Sequence, residues 1–166
     1  MAARPAADAR PAADSRATLA HWMGPLDANG AGFVHGGTVM KLCDEAAGLA
    51  AVKHSRRRIV TASMDRMTFR VPMHVAELVT FPASVNAVWH TSMEVGVRVD
   101  TEDPRSGKRR HSNSAYLTMV AVDDQGNPVA VPPLLASSEE ELRREREAQL
   151  RRRNRLAERE QIQAAR

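Results

Sequence analysis

One stretch limits the folds open to this chain more than any other. From Gly36 to Lys53 the residues suit a helix, yet small side chains occur on every side of it: Ala46, Ala47, Gly48, Ala50 and Ala51, mixed with Val39, Met40, Leu42 and Leu49. A helix on the surface of a domain normally keeps one polar face. Here the polar residues between Lys41 and Lys53 are confined to Cys43, Asp44 and Glu45. The helix is therefore expected to be largely surrounded, with its small residues letting neighbouring backbone approach closely.

What surrounds it is readable on either side. Before the helix, Ala17 to Met23 suit a strand closed by the Gly24-Pro25 turn, while Asp27 to Gly37 hold too much glycine and asparagine for regular structure. After it come strand-like segments with no second helix among them: Ile59 to Phe69, Leu78 to Trp89, Met93 to Val99 and Tyr116 to Val122. Turns fall at Pro72-Met73, His90-Thr91, Pro104 to Lys108 and Asp123 to Pro128. One strand, one enclosed helix and an antiparallel meander give an α+β fold with the sheet curled around the helix.

The ends differ from this middle. Residues 1–15 are rich in Ala, Pro, Asp and Arg with nothing large to bury and read as a disordered leader. The folded domain is expected over 16–135, followed by a charged C-terminal helix over 136–166. That helix opens on Ser137 or Ser138 with a glutamate three residues on, is acidic early and arginine-rich late, and carries only Leu142, Leu150 and Leu156 as large apolar residues before Arg159. Glutamate-arginine pairs four apart suit a solvated helix; packing or self-association is the alternative.

Composition removes several classes of function. A lone Cys43 among 166 residues excludes an intrachain disulfide and a cysteine-based zinc cage, so neither a metal nor a redox cofactor is expected. No run approaches the roughly 18 to 20 apolar residues of a membrane helix, and the N-terminus lacks an apolar signal core, so a cytoplasmic protein without a membrane partner is expected. The net charge of +4 is concentrated at Arg56-Arg57-Arg58, backed by Lys53 and His54. So short a patch suits a phosphorylated small molecule better than nucleic acid, which needs a longer basic stripe.

The chemistry-bearing segment is NGAGFVHGGTVMKLCDEA, Asn29 to Ala46. Gly36-Gly37 at a helix start leave backbone N–H groups without intrahelical partners and uncovered by side chains, a seat for a negative oxygen. Asp44 lies about two turns on, in a nearly apolar helix, where an unpaired carboxylate is costly unless it serves chemistry or has strong partners; Glu45 is its rival. Asn29-Gly30 is also an ordinary turn pair. His35 is either a base or, as we read it, a residue that shapes the loop. Cys43 has no partner base and reads as core.

The same segment resembles the N-x-x-G-x-V-H-G-G loop and following D-E-A helix of hotdog-fold acyl-CoA thioesterases of the brain acyl-CoA hydrolase type. The resemblance runs from about Ala17 to Leu134, taking in MDRMTFRVPMHVAELVTFPASV and the closing VAVPPL. It implies hydrolysis of acyl-CoA to free acid and coenzyme A. Asp44 would be the base or nucleophile, and Asn29 would hold water or the thioester. It also implies a homodimer or a hexamer built as a trimer of dimers, with Asn29 of one copy facing Asp44 of the other.

For the phosphates of coenzyme A the first candidates are Arg56, Arg57 and Arg58, with a solvated basic turn as the alternative; Lys108, Arg109 and Arg110 are further candidates. Thr91 to Val95 resembles the strand that runs along the pantetheine arm, so Ser92 and Met93 are expected to contact it through backbone. Met64, Met67, Met73 and Met93 read as core or tunnel lining. Met64, Met67, Phe69 and Trp89 are nominated for the closed end of an acyl tunnel. Two alternatives stand beside hydrolysis: a hydratase of the same fold using His35 with Asp44, and a non-catalytic acyl-CoA-binding regulator.

Overall fold

The computed structural model describes residues 8–69 and 71–165. After β1 (Arg10–Pro11) and a 3-10 turn at Ala12–Ser15 come β2 (Ala17–Trp22), a 3-10 turn at Pro25–Asp27, and α1 (Gly36–Ser55). The strands β3 (Arg58–Met64), β4 (Leu78–Val88), β5 (Ser92–Glu102), β6 (Arg109–Val122) and β7 (Leu134–Leu135) precede α2 (Glu139–Ala164). Strands β2-β4-β5-β6-β3 form one antiparallel sheet in that order, and β1 pairs with β7 in parallel. The α+β order expected from the sequence is present, with a central helix against the sheet.

The period-2 alternation decides which face meets α1. Val79, Phe81, Val95, Val97, Val99, Leu117 and Met119 are buried with Val39, Cys43, Ala46, Ala47, Ala50 and Ala51 of the helix in one apolar cluster. The four alanines fall on one side of α1, where their small size sets the close helix-to-sheet approach. The expectation that α1 is surrounded fails on its other side, because Met40, Leu49 and Val52 are about two-fifths exposed. Val60 is likewise exposed on β3, whose outer edge has no partner strand among the described residues.

Three other expectations are corrected. Of the leader, residues 1–7 lie outside the described residues, but 8–15 are built into the fold. Ser15 is fully buried, and its hydroxyl takes the N–H of Val85 at 2.9 Å beside the irregularity between Val85 and Ala87 of β4; a small hydroxyl, not apolar bulk, orders the segment. The strand expected to reach Phe69 ends at Met64, because side chains of β6 take over the backbone beyond: Asn113 Nδ2 donates to the Thr68 carbonyl and Ser112 Oγ to that of Val71. Finally, α2 forms the capping box at Ser138 and Glu141 and the Arg143–Glu147 and Arg144–Glu140 pairs, but it is not simply solvated. It lies across the sheet face opposite α1, where Glu141 and Ala148 are buried and Arg151 reaches Glu94.

His54 ties the end of α1 to the closing segment. It is buried, its Nε2–H donates to the Pro132 carbonyl at 2.9 Å, and its Nδ1 has no partner among the described residues. Burial lowers its pKa below the ordinary 6.5, so the folded chain holds it neutral while the unfolded chain protonates it. Its contribution to stability is complete above pH 6.5 and is lost as pH falls from there toward the folded value. Denaturant midpoints measured between about pH 7.5 and about pH 5.5 should fall with pH, and more steeply than in His54→Gln.

Candidate active site

Asn29 closes the loop that leads into α1. Its N–H donates to the Phe33 carbonyl at 2.7 Å, and its Oδ1 accepts from Ala31 N at 2.9 Å and Phe33 N at 3.2 Å. Gly32, with φ of +83°, makes the left-handed step of this turn. Asn29 is thus a turn residue and more than that: with Oδ1 spent on the turn, its Nδ2 donors have no partner among the described residues. Asp27, which the sequence did not single out, holds the loop from below. Its carboxylate takes Gly24 N at 2.7 Å and His21 Nε2 at 2.9 Å, and its carbonyl takes His35 N at 2.7 Å. The first of these contacts, with His21 second, keeps its pKa below the ordinary carboxylate range.

At the helix start the expected pair of free amides is reduced to one. His35 is the N-cap, and its Nδ1 accepts from Gly37 N at 2.9 Å, while Thr38 N is taken by the His35 carbonyl at 2.9 Å. Only the Gly36 N–H donates to nothing among the described residues. A histidine whose Nδ1 is committed to a cap shapes the loop rather than serving as base. Both glycines have a steric reason: a Cβ on Gly36 would lie 3.3 Å from the Phe69 ring, and one on Gly37 3.1 Å from Nδ1 of His35.

Asp44 is half-buried on α1, and its Oδ1 accepts from the hydroxyl of Thr61 on β3 at 2.6 Å. Among the described residues no cation pairs with it, so the second carboxylate oxygen is available. Glu45, its rival, is exposed and paired with Lys41 at 3.7 Å. Thr61 was missed because a threonine in an edge strand carries no signal; the register that sets it opposite Met119 and against α1 exists only in the fold. The structure does not bring Asn29 and Asp44 of one chain into contact. No group of three or more metal-ligating side chains occurs among the described residues, and no helix there is long and apolar enough to cross a membrane.

The other nominated residues separate. Arg56, Arg57 and Arg58 are exposed at the end of α1, with Arg56 left-handed at φ of 57° and Arg58 touching Asp124 at 3.9 Å. Ser92 and Met93 lie at the start of β5, which is flanked by β4 and β6, and Met93 is fully buried. Arg110 is held by Glu77 at 2.7 Å and by the Pro72 carbonyl, and Arg109 by Glu102. Trp89 lies under α2, donating to Gln149 and facing Arg152, not at a tunnel. Met64 and Met67 pack against the core, and Met73 is part of it.

This arrangement can be set beside known proteins. The family model described as the thioesterase superfamily matches residues 31–108. A crystal structure titled as an apo-hexameric acyl-CoA thioesterase superposes with a TM-score of 0.87 at 36% identity, covering 91% of this chain and 97% of that one. The chain belongs to the thioesterase superfamily. An acyl-CoA hydrolase from Staphylococcus aureus, solved with butyryl coenzyme A and coenzyme A, is 30% identical with a TM-score of 0.86, over 94% of this chain and 95% of that one. Variants of that hydrolase with an aspartate, an asparagine or a threonine changed to alanine are also among the similar structures. The cytosolic acyl coenzyme A thioester hydrolase of Rattus norvegicus is 39% identical over 133 residues, 78% of this chain. This chain spans only about a third of that relative's length, 35%.

In this thioesterase-superfamily chain Cys43 is fully enclosed, and burial, with the Asp44 carboxylate second, pushes its thiol up to about 12. A thiol reagent should find no reactive cysteine in the native protein and one in denatured protein; rapid native labelling would contradict the packing of α1.

Proposed function

We infer that this chain hydrolyses acyl-CoA thioesters to a free acid and coenzyme A, at a site made by two copies of itself. Asp44 takes a proton from water, the hydroxide adds to the thioester carbonyl, and the Gly36 N–H receives the oxygen as it becomes negative. Thr61 holds one oxygen of Asp44 at 2.6 Å and so leaves the other for the water. On collapse the carbon–sulfur bond breaks, and the proton held by Asp44 goes to the departing thiolate. Asn29 offers its free Nδ2 to the water or the carbonyl.

The observation that carries this reading is a triplet. Asn29, Asp44 and Thr61 stand at the same separations along the chain as the asparagine, aspartate and threonine replaced in the Staphylococcus aureus hydrolase. Helix geometry supports the shared site. Asp44 lies eight residues beyond Gly36, about 12 Å along the axis, whereas a carbonyl and its attacking water need donors and base each about 3 Å away. Gly36 and Asp44 of one chain cannot serve the same thioester, but those of two antiparallel helices can. The exposed Met40, Leu49, Val52 and Val60 and the open edge of β3 give a second copy its surface. The hexameric assembly of the similar thioesterase favours a dimer assembled further into a hexamer.

Arg56, the residue that caps the end of α1, lies about 18 Å beyond Asp44 along the helix, a distance suited to the pantetheine arm, and Arg56 to Arg58 are assigned to the phosphates. The buried lone cysteine and the cytosolic name of the rat relative favour the cytoplasm. The hydratase alternative loses its base to the His35 cap, and a mere acyl-CoA binder would release no thiol.

Purified protein should release thiol from acyl-CoA. Asp44→Ala and Asn29→Ala should each lower kcat about a hundredfold and Thr61→Ala about tenfold. An Asp44→Ala enzyme with unchanged kcat would end the assignment.

A further inference from the structure

Past Met64 the chain leaves the ladder and runs without regular structure to Phe69, whose ring lies 3.3 Å from where a Gly36 Cβ would be. This run joins two parts of the site, Thr61 behind Asp44 and the aromatic ring packed against Gly36. Its first anchor is backbone, Asp65 N to the Tyr116 carbonyl at 2.9 Å. The rest are side chains, and at Asp65 and Arg66 they come from the far side of the sheet: Arg155 Nη1 donates to Asp65 Oδ2 at 2.7 Å, and Arg66 pairs with Glu158.

The same Arg155 also reaches Glu94 at 3.3 Å. Glu94 is fully buried near the start of β5, and Arg151, one turn before Arg155, donates to it at 2.7 Å and lies 3.6 Å from the centre of the Tyr116 ring. Asn86 Nδ2 adds a bond at 3.3 Å and itself fits only because residue 96 is glycine, where a Cβ would lie 2.6 Å from Nδ2. A carboxylate without solvent is tolerated only with such partners. Glu94 therefore fixes the seat of α2, and α2, through Arg155, fixes Asp65.

We propose that Arg155, seated by Glu94, is a positioning residue of the thioesterase site, holding the 65–69 run so that Phe69 stays packed against Gly36. The proposal rests on the site reading above. Arg155 touches no reacting atom; it acts through Asp65 and the ring. Such small displacements near an attacking geometry cost large rate factors.

The chain has three phenylalanines, so 4-fluorophenylalanine labelling gives three fluorine resonances, with Phe69→Leu assigning one. Arg155→Gln should shift or broaden the Phe69 signal and leave that of buried Phe81, and should lower kcat about tenfold with little change in KM. Arg155→Lys should recover at least about half of the wild-type kcat, because the charge remains. Gln149→Ala, which loosens α2 at Trp89 and not at Asp65, should do neither. In a Phe69→Ala background Arg155→Gln should add less than about twofold. An unmoved Phe69 signal in Arg155→Gln, an unchanged kcat, or an equal loss in Gln149→Ala would overturn the proposal. A moved Phe69 signal in a protein that releases no thiol would instead uphold the clasp and reject the thioesterase reading.

Discussion

A helix does not shorten, and in this protein that rigidity sets the terms for everything around the site. Gly36 offers the one amide at the start of α1 that is uncommitted among the described residues, and Asp44 presents its carboxylate two turns later. The rod between them keeps donor and base apart within a chain. The exposed side of α1 is then no longer an anomaly. Met40, Leu49 and Val52 are apolar surface that one chain leaves in water, and in the proposed two-copy site covering them would bring a second amide to the acid. Assembly and chemistry would then be one requirement.

The two faces of the sheet solve different problems. Toward α1 the contact is apolar and small, with alanine against valine and methionine, which gives close packing with no directional bonds. Toward α2 it is polar: Glu94, Asn86, Arg151, Arg155, Tyr116 and Trp89 meet through hydrogen bonds and cation-ring contacts. Such a contact depends on orientation, and it specifies where along the sheet α2 must lie. Charge pattern alone makes α2 look like a helix bathed in water, because an arginine that faces a buried glutamate reads no differently from one that faces solvent.

The same limit explains which parts of the fold and site were legible. Glycines before a helix and a carboxylate among alanines are conspicuous locally, so the Asn29 loop, Gly36 and Asp44 could be nominated from the sequence. The alternating β4 and β5, and β6 from Tyr116 on, were equally plain, but the polar first half of β6 from Arg109 was not. Thr61 became visible only through the pairing of β3 with β6, and the loss of Gly37 as a donor only through the ring of His35. That β5, with Ser92 and Met93 at its start, is flanked on both sides could not be read, because a strand's sequence does not say how many neighbours it has. The segment before Ser15 looked structureless because it has no apolar bulk, although a single buried hydroxyl holds it.

The claim that one chain's loop completes the other chain's acid is tested most directly by mixing. Asn29→Ala and Asp44→Ala proteins, each nearly inactive, are combined, dissociated and reassociated, and thiol release from acyl-CoA is followed. A shared site regains about a quarter of wild-type activity, because mixed dimers hold one intact site in two. A mixture that stays as inactive as its components, with exchange of subunits demonstrated, would contradict the account.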